Sequence, residues 1–242
     1  MTTNVTYLEY TNELLRRLNE VELTSGDFSA ATGVHGLAKD AVNIAIREII
    51  QYAQEWPFTI STESQTTTAG TGTYSFPSDS SSVDWDSFFI KQHATVLNEP
   101  KKLNVVPYTE YLSRYRSSDE LAPAGGSGVP LIVYQTQEEK FGVTPLPETE
   151  YVIEYKYFRL ATDMTLHDST TIIPDRFRHI VIDGGMMYMM RFRSNDQNAA
   201  MQQQAFFEGL KAMRRLLNDD PLYIRSTYLQ QSGYKTSVFP TI

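Results

Sequence analysis

Cysteine is absent from all 242 residues, which excludes a disulfide framework and thiolate metal sites. No apolar run approaches the roughly 18–20 residues that cross a bilayer. The first ten residues, MTTNVTYLEY, lack the basic and apolar stretches of a secretion signal. The reading is a soluble chain made in a reducing cytoplasm, with no membrane partner. An excess of positive charge is missing too. Against 29 Asp and Glu stand 21 Lys and Arg, a formal charge of −8, whereas coating phosphates calls for a basic face. A dedicated DNA-binding role is therefore disfavoured.

Catalytic signatures are equally scarce. The four histidines, at positions 35, 93, 167 and 179, are scattered. His179 and Asp183, four apart on one helix face, form half a metal site, but no Glu-x-x-His partner accompanies them, so no metal and no cofactor is expected. Gly125-Gly126-Ser127-Gly128 lacks the lysine and the strand-then-helix setting of a phosphate loop. No G-x-S-x-G elbow or marked triad occurs. The chain reads as a packing and docking protein rather than an enzyme, with no catalytic residue assigned.

What is present is a globular balance, 41% hydrophobic and 21% charged residues, with 15 tyrosines and 12 phenylalanines. The stretch from Pro174 to Leu217 predicts a helical hairpin broken at 194–198. In its first helix Phe177, Ile180, Val181, Gly184, Met187, Tyr188 and Arg191 follow the 3.6-residue period. The opposite side, Ile182, Met186, Met189 and Met190, is apolar as well, so this helix is read as buried all round. Two adjacent glycines in mid-helix, Gly184 and Gly185, cost about 1 kcal/mol each against alanine and are read as a helix-crossing point. In the second helix Ala199, Gln203, Phe206, Phe207, Leu210, Met213 and Leu217 line one face. Two R-F-R triplets, at 176–178 and 191–193, are read as salt-bridging groups rather than phosphate contacts.

At the other end, Thr6 and Glu9 match a capping box ahead of a helix that presents Tyr7, Tyr10, Leu14, Leu15 and Leu18. A second helix is expected from Leu37 to Trp56, stopped by Pro57. From Phe58 to about Leu160 the chain turns to Thr, Ser, Gly and aromatics, which predicts strands. Short strands flank the turn AGTG, another covers Trp85–Gln92, a short helix covers Pro107–Arg116, and strands at 131–136, 140–144 and 151–158 form a three-stranded meander. The expected fold is α+β: residues 1–57 and 172–218 make one discontinuous antiparallel bundle of about four helices. Residues 58–171 are a β-rich insert, and 219–242 an extended C-terminal tail. That tail holds Tyr223, Ile224, Tyr228, Leu229, Tyr234, Val238 and Phe239, too apolar a set for a solvated segment. It is read as a docking tail.

Several spaced segments carry a family likeness: TYLEYTNELLRRLNE, LAKDAVNIAIREI followed by EWPF, VDWDSFFIK, FGVTPLP, YFRLATDM and IPDRFRHIVIDGGMMYM. From Thr6 to about Leu217 the chain resembles the head-to-tail adaptor proteins of short-tailed phages, similar to tail tubular protein A and the SU10-like adaptors. The resemblance implies a virion neck protein forming a ring, commonly of twelve copies, beneath the portal protein. It further implies a channel for viral double-stranded DNA that passes without sequence-specific binding, and a β-rich domain directed at tail nozzle or tail fibre proteins. The seven tail residues would then be portal anchors. The competing readings are a tail-tube or nozzle component that ignores the portal, and a tail-associated hydrolase.

Overall fold

The computed structural model describes residues 5–53, 55–91, 100–123, 125–136, 138 and 140–217. In chain order these form α1 (Tyr7–Arg17), α2 (Val34–Tyr52), β1 (Ile60–Thr66), β2 (Thr73–Ser75), β3 (Ser80–Lys91), β4 (Lys101–Lys102) and β5 (Asn104–Val106). There follow α3 (Tyr108–Arg114), α4 (Arg116–Glu120), β6 (Ile132–Gln135), β7 (Lys140–Thr144), β8 (Val152–Arg159), α5 (Arg178–Phe192) and α6 (Asp196–Leu217). The chain divides into two compact units, Ile50–Asp163 and the described residues of Met1–Ile49 with Met164–Ile242.

In the helical unit, local chemistry sets the helix ends. Thr6 Oγ1 accepts from the Glu9 N–H at 3.3 Å while the Thr6 N–H donates to Glu9 Oε2 at 2.8 Å, the reciprocal capping box that opens α1. Between α5 and α6 the backbone reverses at Ser194, whose φ of 55° is left-handed. Asn195 Oδ1 then accepts from the Asn198 N–H at 3.3 Å. Helix α5 is buried on nearly every side, through Ile180, Val181, Ile182, Met186, Met187 and Met189. Gly184 and Gly185 explain how that is possible. A Cβ on Gly184 would lie 2.7 Å from Phe206 Cε2 of α6 and 2.9 Å from Ala45 Cβ of α2. One on Gly185 would lie 2.8 Å from Leu14 Cδ1 of α1. The pair lets α5 meet three other helices within one turn.

This arrangement corrects the expected fold class. The protein is α+β with six helices and two sheets among the described residues, but an antiparallel four-helix bundle of the N- and C-terminal parts is not what forms. Among the described residues, the most extensive backbone approach between helices is that of the α5–α6 hairpin, with a shorter approach between α1 and α5. The glycines put α5 at a crossing where the others converge, and the 11-residue α1 is too short to serve as a full stave. The expected extended tail lies outside the described residues.

The β unit holds two four-stranded sheets, ordered β1-β8-β3-β4 and β2-β7-β6-β5. Their facing sides share one core of Tyr74, Phe88, Ile90, Leu103, Val133, Phe141, Val143, Tyr151, Ile153, Tyr155 and Tyr157. Phe88 stacks on Tyr155 at 4.7 Å between ring centroids, and Phe141 of the other sheet meets both edge-on at 5.3 Å. The strands around AGTG belong to different sheets, β1 pairing with β8 and β2 with β7. The expected meander also fails, because only β6 and β7 pair with each other. β8 instead lies between β1 and β3. Alternation reports which residues face a core, while the pairing follows where Tyr151, Ile153, Tyr155 and Tyr157 find an aromatic layer.

The crossing predicts a contrast between neighbouring glycines. Gly184→Ala should lower stability by about 1–3 kcal/mol despite the gain in helix propensity, since Ala45 and the Phe206 ring have no flexible end to withdraw. Gly185→Ala should lose less, because its neighbour is the terminus of a leucine. Thermal unfolding followed by far-UV circular dichroism measures both.

Candidate functional surfaces

Helix α5 presents its polar residues at the rim of the helical unit, and there both R-F-R triplets are engaged. Arg178 holds Glu13 through two nitrogens, Nε at 2.7 Å and Nη2 at 2.5 Å. Arg17 reaches the same Glu13 at 3.3 Å and Asp183 at 3.2 Å. One carboxylate thus joins two guanidinium groups and ties α1 to α5. Arg193 pairs with Glu20 at 2.5 Å, and Arg191 donates to Gln203 of α6 at 3.1 Å. Arg176 lies over the Phe177 ring at 4.7 Å. Arg178 and Arg193 thus make the ion pairs that the salt-bridge reading expects, while Arg191 meets a neutral amide and Arg176 the ring beside it. The half metal site at His179 does not assemble: Asp183 is committed to Arg17, and no group of three metal-binding side chains occurs among the described residues.

The β unit carries the recessed surfaces. One groove of about 540 Å³ runs between the start of β3 and the β6–β7 turn, lined by Ser75, Ser80, Ser82, Trp85, Gln135 and Lys140 among others. A second, of about 640 Å³, lies between Trp85, Val105, Pro107, Tyr108 and Gln135. A third is walled by Tyr108, Tyr111, Leu112, Arg116 and Tyr134. Trp85 and Gln135 belong to the first two, so the grooves are continuous around one end of the unit. Trp85 is held flat against Phe88, 5.4 Å away with the planes 17° apart. Tyr111 stacks on Tyr134 at 3.7 Å. The Tyr134 ring covers Gly142 across the β6–β7 ladder, where an added Cβ would lie 2.2 Å from Cζ. Burial raises the Tyr134 hydroxyl well above the usual tyrosine range, so these rings stay neutral and serve as contact area. Sequence reasoning overlooked these grooves. Their one signal was a lone tryptophan in the serine-rich run SSSVDWDS.

Behind the tyrosines sits a buried carboxylate. Asp119, 8% exposed at the end of α4, accepts from the Thr144 hydroxyl at 2.9 Å, and its Oδ2 has no partner among the described residues. Desolvation raises its pKa above the ordinary carboxylate value, against lowering by hydrogen bonds from Thr144 and Tyr111. The charged pair in the first groove, Glu138 and Lys140, is closed on itself at 2.6 Å. Among the described residues, no pair of carboxylates and no nucleophile with a base converges in these grooves.

With this geometry in view, the comparison with known families is decisive. A family model described as SU10 adaptor protein matches residues 5–227. The chain belongs to that family, the head-to-tail adaptors of phages. No curated protein matches it. The adaptor match runs through the helical residues, the whole β unit and into the C-terminal segment. Of the seven anchors expected in the tail, Tyr223 and Ile224 fall inside the matched span, and Tyr228, Leu229, Tyr234, Val238 and Phe239 fall beyond it. All seven lie outside the described residues. No described helix of this adaptor is long and apolar enough to cross a membrane.

The buried carboxylate gives a signed pH dependence. A carboxyl whose folded pKa is raised costs stability as pH climbs from its unfolded value through its folded one. Asp119→Asn keeps an acceptor for Thr144 and removes that cost. The melting temperature of the variant minus that of the wild type should therefore rise between pH 3.5 and pH 7, a pH range of about three units that spans ordinary carboxylate titration. A constant or falling difference would show that Asp119 is not the group responsible.

Proposed function

We propose that this adaptor is a structural protein of the virion neck, forming a ring under the portal protein, continuing the DNA channel and presenting a platform for the tail. The observation that carries the reading is the family match over residues 5–227, which takes in both compact units rather than one module. The physical features agree with it. The helical unit is cross-tied by Arg178, Arg17 and Arg193, as suits a part that transmits load without rearranging. The grooves around Trp85 and Tyr108 supply rigid aromatic area of the kind that dominates protein interfaces and are the surface for a tail nozzle or fibre protein. A formal charge of −8 keeps a duplex from adhering to the wall, since like charges repel at short range. The segment 219–242 docks on the portal through Tyr223, Ile224, Tyr228, Leu229, Tyr234, Val238 and Phe239, by filling a groove or adding a strand.

Truncation after Asn218 tests this directly. Co-sedimentation with the portal protein of the same phage should be lost, a drop in affinity of at least about 100-fold for removal of several buried aromatic anchors. Far-UV circular dichroism should stay unchanged. Retained portal binding would move the contact elsewhere. Binding of the full chain to a lower tail component, but never to the portal, would replace the adaptor position by that of a nozzle protein.

A further inference from the structure

The strands that end the two sheets are not alike. β2 and β5 have three residues each, and β4 is two lysines. β1 has seven, paired with β8 in unbroken register, and holds no proline, lysine, arginine or bulge, the devices that discourage strand addition. Hydrogen-bond parity shows what its free side offers. The Thr67 N–H donates to the Tyr151 carbonyl at 2.8 Å, one step beyond the register pair Thr66 and Val152. Bonded pairs alternate along an antiparallel ladder, so Ser61, Glu63 and Gln65 spend their backbone groups on β8. Ile60, Thr62, Ser64 and Thr66 direct theirs outward, and all four are exposed. The Thr66 carbonyl already accepts from the Gln65 side chain at 2.8 Å. Among the described residues, nothing takes up the outward groups of Thr62 and Ser64.

A single charge stands on this edge. Glu63 lies opposite Tyr155, with Ser61 opposite Tyr157 and Gln65 opposite Ile153, so its half-buried side chain shares the core-facing side of the sheet. Burial, with the Glu63 charge beside it, raises the Tyr155 hydroxyl above the usual tyrosine range. Among the described residues no cation pairs with Glu63. An inward-pointing charge deters strand addition, but it does so selectively. An incoming antiparallel strand that bonds to Thr62 and Ser64 sets one residue directly against Glu63, in the non-hydrogen-bonded pair where side chains come closest. A second β1 in that register brings Glu63 against Glu63, which is repulsive. A lysine or arginine there supplies the missing cation, and its stem covers the rim of the core.

We infer that the β1 edge receives an extended strand of a tail protein, held by the backbone of Thr62 and Ser64 and selected by a lysine or arginine facing Glu63. The inference rests on the reading above that this adaptor presents a platform for the tail. On the outer side of the sheet Thr62, Ser64 and Thr66 offer only small hydroxyl-bearing side chains, which accept polar and β-branched neighbours alike. Backbone bonds therefore supply the attachment, and the one charge supplies the choice of partner. A junction of a few such bonds is weak alone and is reinforced when several copies are engaged at once.

The experiment titrates the full chain into fluorescein-labelled peptides of seven residues, the length of β1. Threonine and valine alternate around a central lysine in one peptide and a central glutamate in the other. The central amide and every second one from it are N-methylated, so that the peptides cannot stack on themselves. Fluorescence anisotropy should show wild type favouring the lysine peptide by roughly fivefold or more at low salt. Glu63→Lys should invert that order. Ser64→Pro removes an outward N–H without touching the β8 ladder, so its melting curve should match wild type while it binds neither peptide. Equal binding of both peptides by wild type, or undiminished binding by Ser64→Pro, overturns the inference. A doubled mass of the chain alone that Ser64→Pro abolishes makes the occupant a second copy and overturns it too. The tail nozzle and fibre proteins of the same phage are then sedimented with all three chains. Binding to wild type that both variants weaken by roughly tenfold supports the inference, and equal binding to all three sinks it while the platform reading stands. If neither protein binds wild type, the platform reading falls and the inference with it.

Discussion

The close approach at Gly184 and Gly185 is the constraint on which the helical unit depends. Two side chains no larger than hydrogen let α5 touch α2 and α6 on one side and α1 on the other. Everything around the crossing follows from that. Methionines 186, 187 and 189 are buried in the same helix, unbranched side chains that adapt to irregular gaps. The polar residues of α5 are displaced to the rim, where Arg178 and Asp183 join Glu13 and Arg17 in one network. Such exposed pairs add little stability individually. Their value lies in fixing the approach of α1, because a shared carboxylate accepts both arginines only in one geometry.

The β unit solves a different problem with aromatic rings. Eight strands, several of them only two or three residues long, cannot hold together by ladder bonds alone. Phe88, Phe141 and Tyr155 bridge the two sheets by stacked and edge-on contacts. The same chemistry reaches the grooves: Trp85 stacks on Phe88, and Tyr111 stacks on Tyr134. A surface of that kind is rigid before a partner arrives, which lowers the entropic cost of binding.

What the sequence reveals here is mostly local. The capping box at Thr6, a hairpin break near the expected 194–198 (193–195 in the structure) and the all-round burial of α5 were readable because each depends on residues within a few positions of one another. The bundle was misjudged because apolar faces show that helices pack, not at what angle, and Gly184 marks a crossing without naming its partner. Composition, and alternation in β8, marked β1, β2, β6, β7 and β8 but missed β4, β5 and the first part of β3, and β1 and β8, separated by the whole unit in sequence, pair where the tyrosines of β8 meet the aromatic layer. Asp119 and Thr144 come together through the same long-range closure, and no spacing rule connects them. The family likeness was legible for the opposite reason, since it rests on several ordered segments rather than on any single one.

The central claim is that this chain assembles in multiple copies on a portal. The most direct measurement is the mass, by light scattering, of the purified chain alone, of the portal alone and of their mixture. The account predicts a complex whose mass exceeds that of the portal by a fixed whole number of chains, with the same number at every excess of chain. A mixture in which the portal keeps its own mass at all salt concentrations would contradict it.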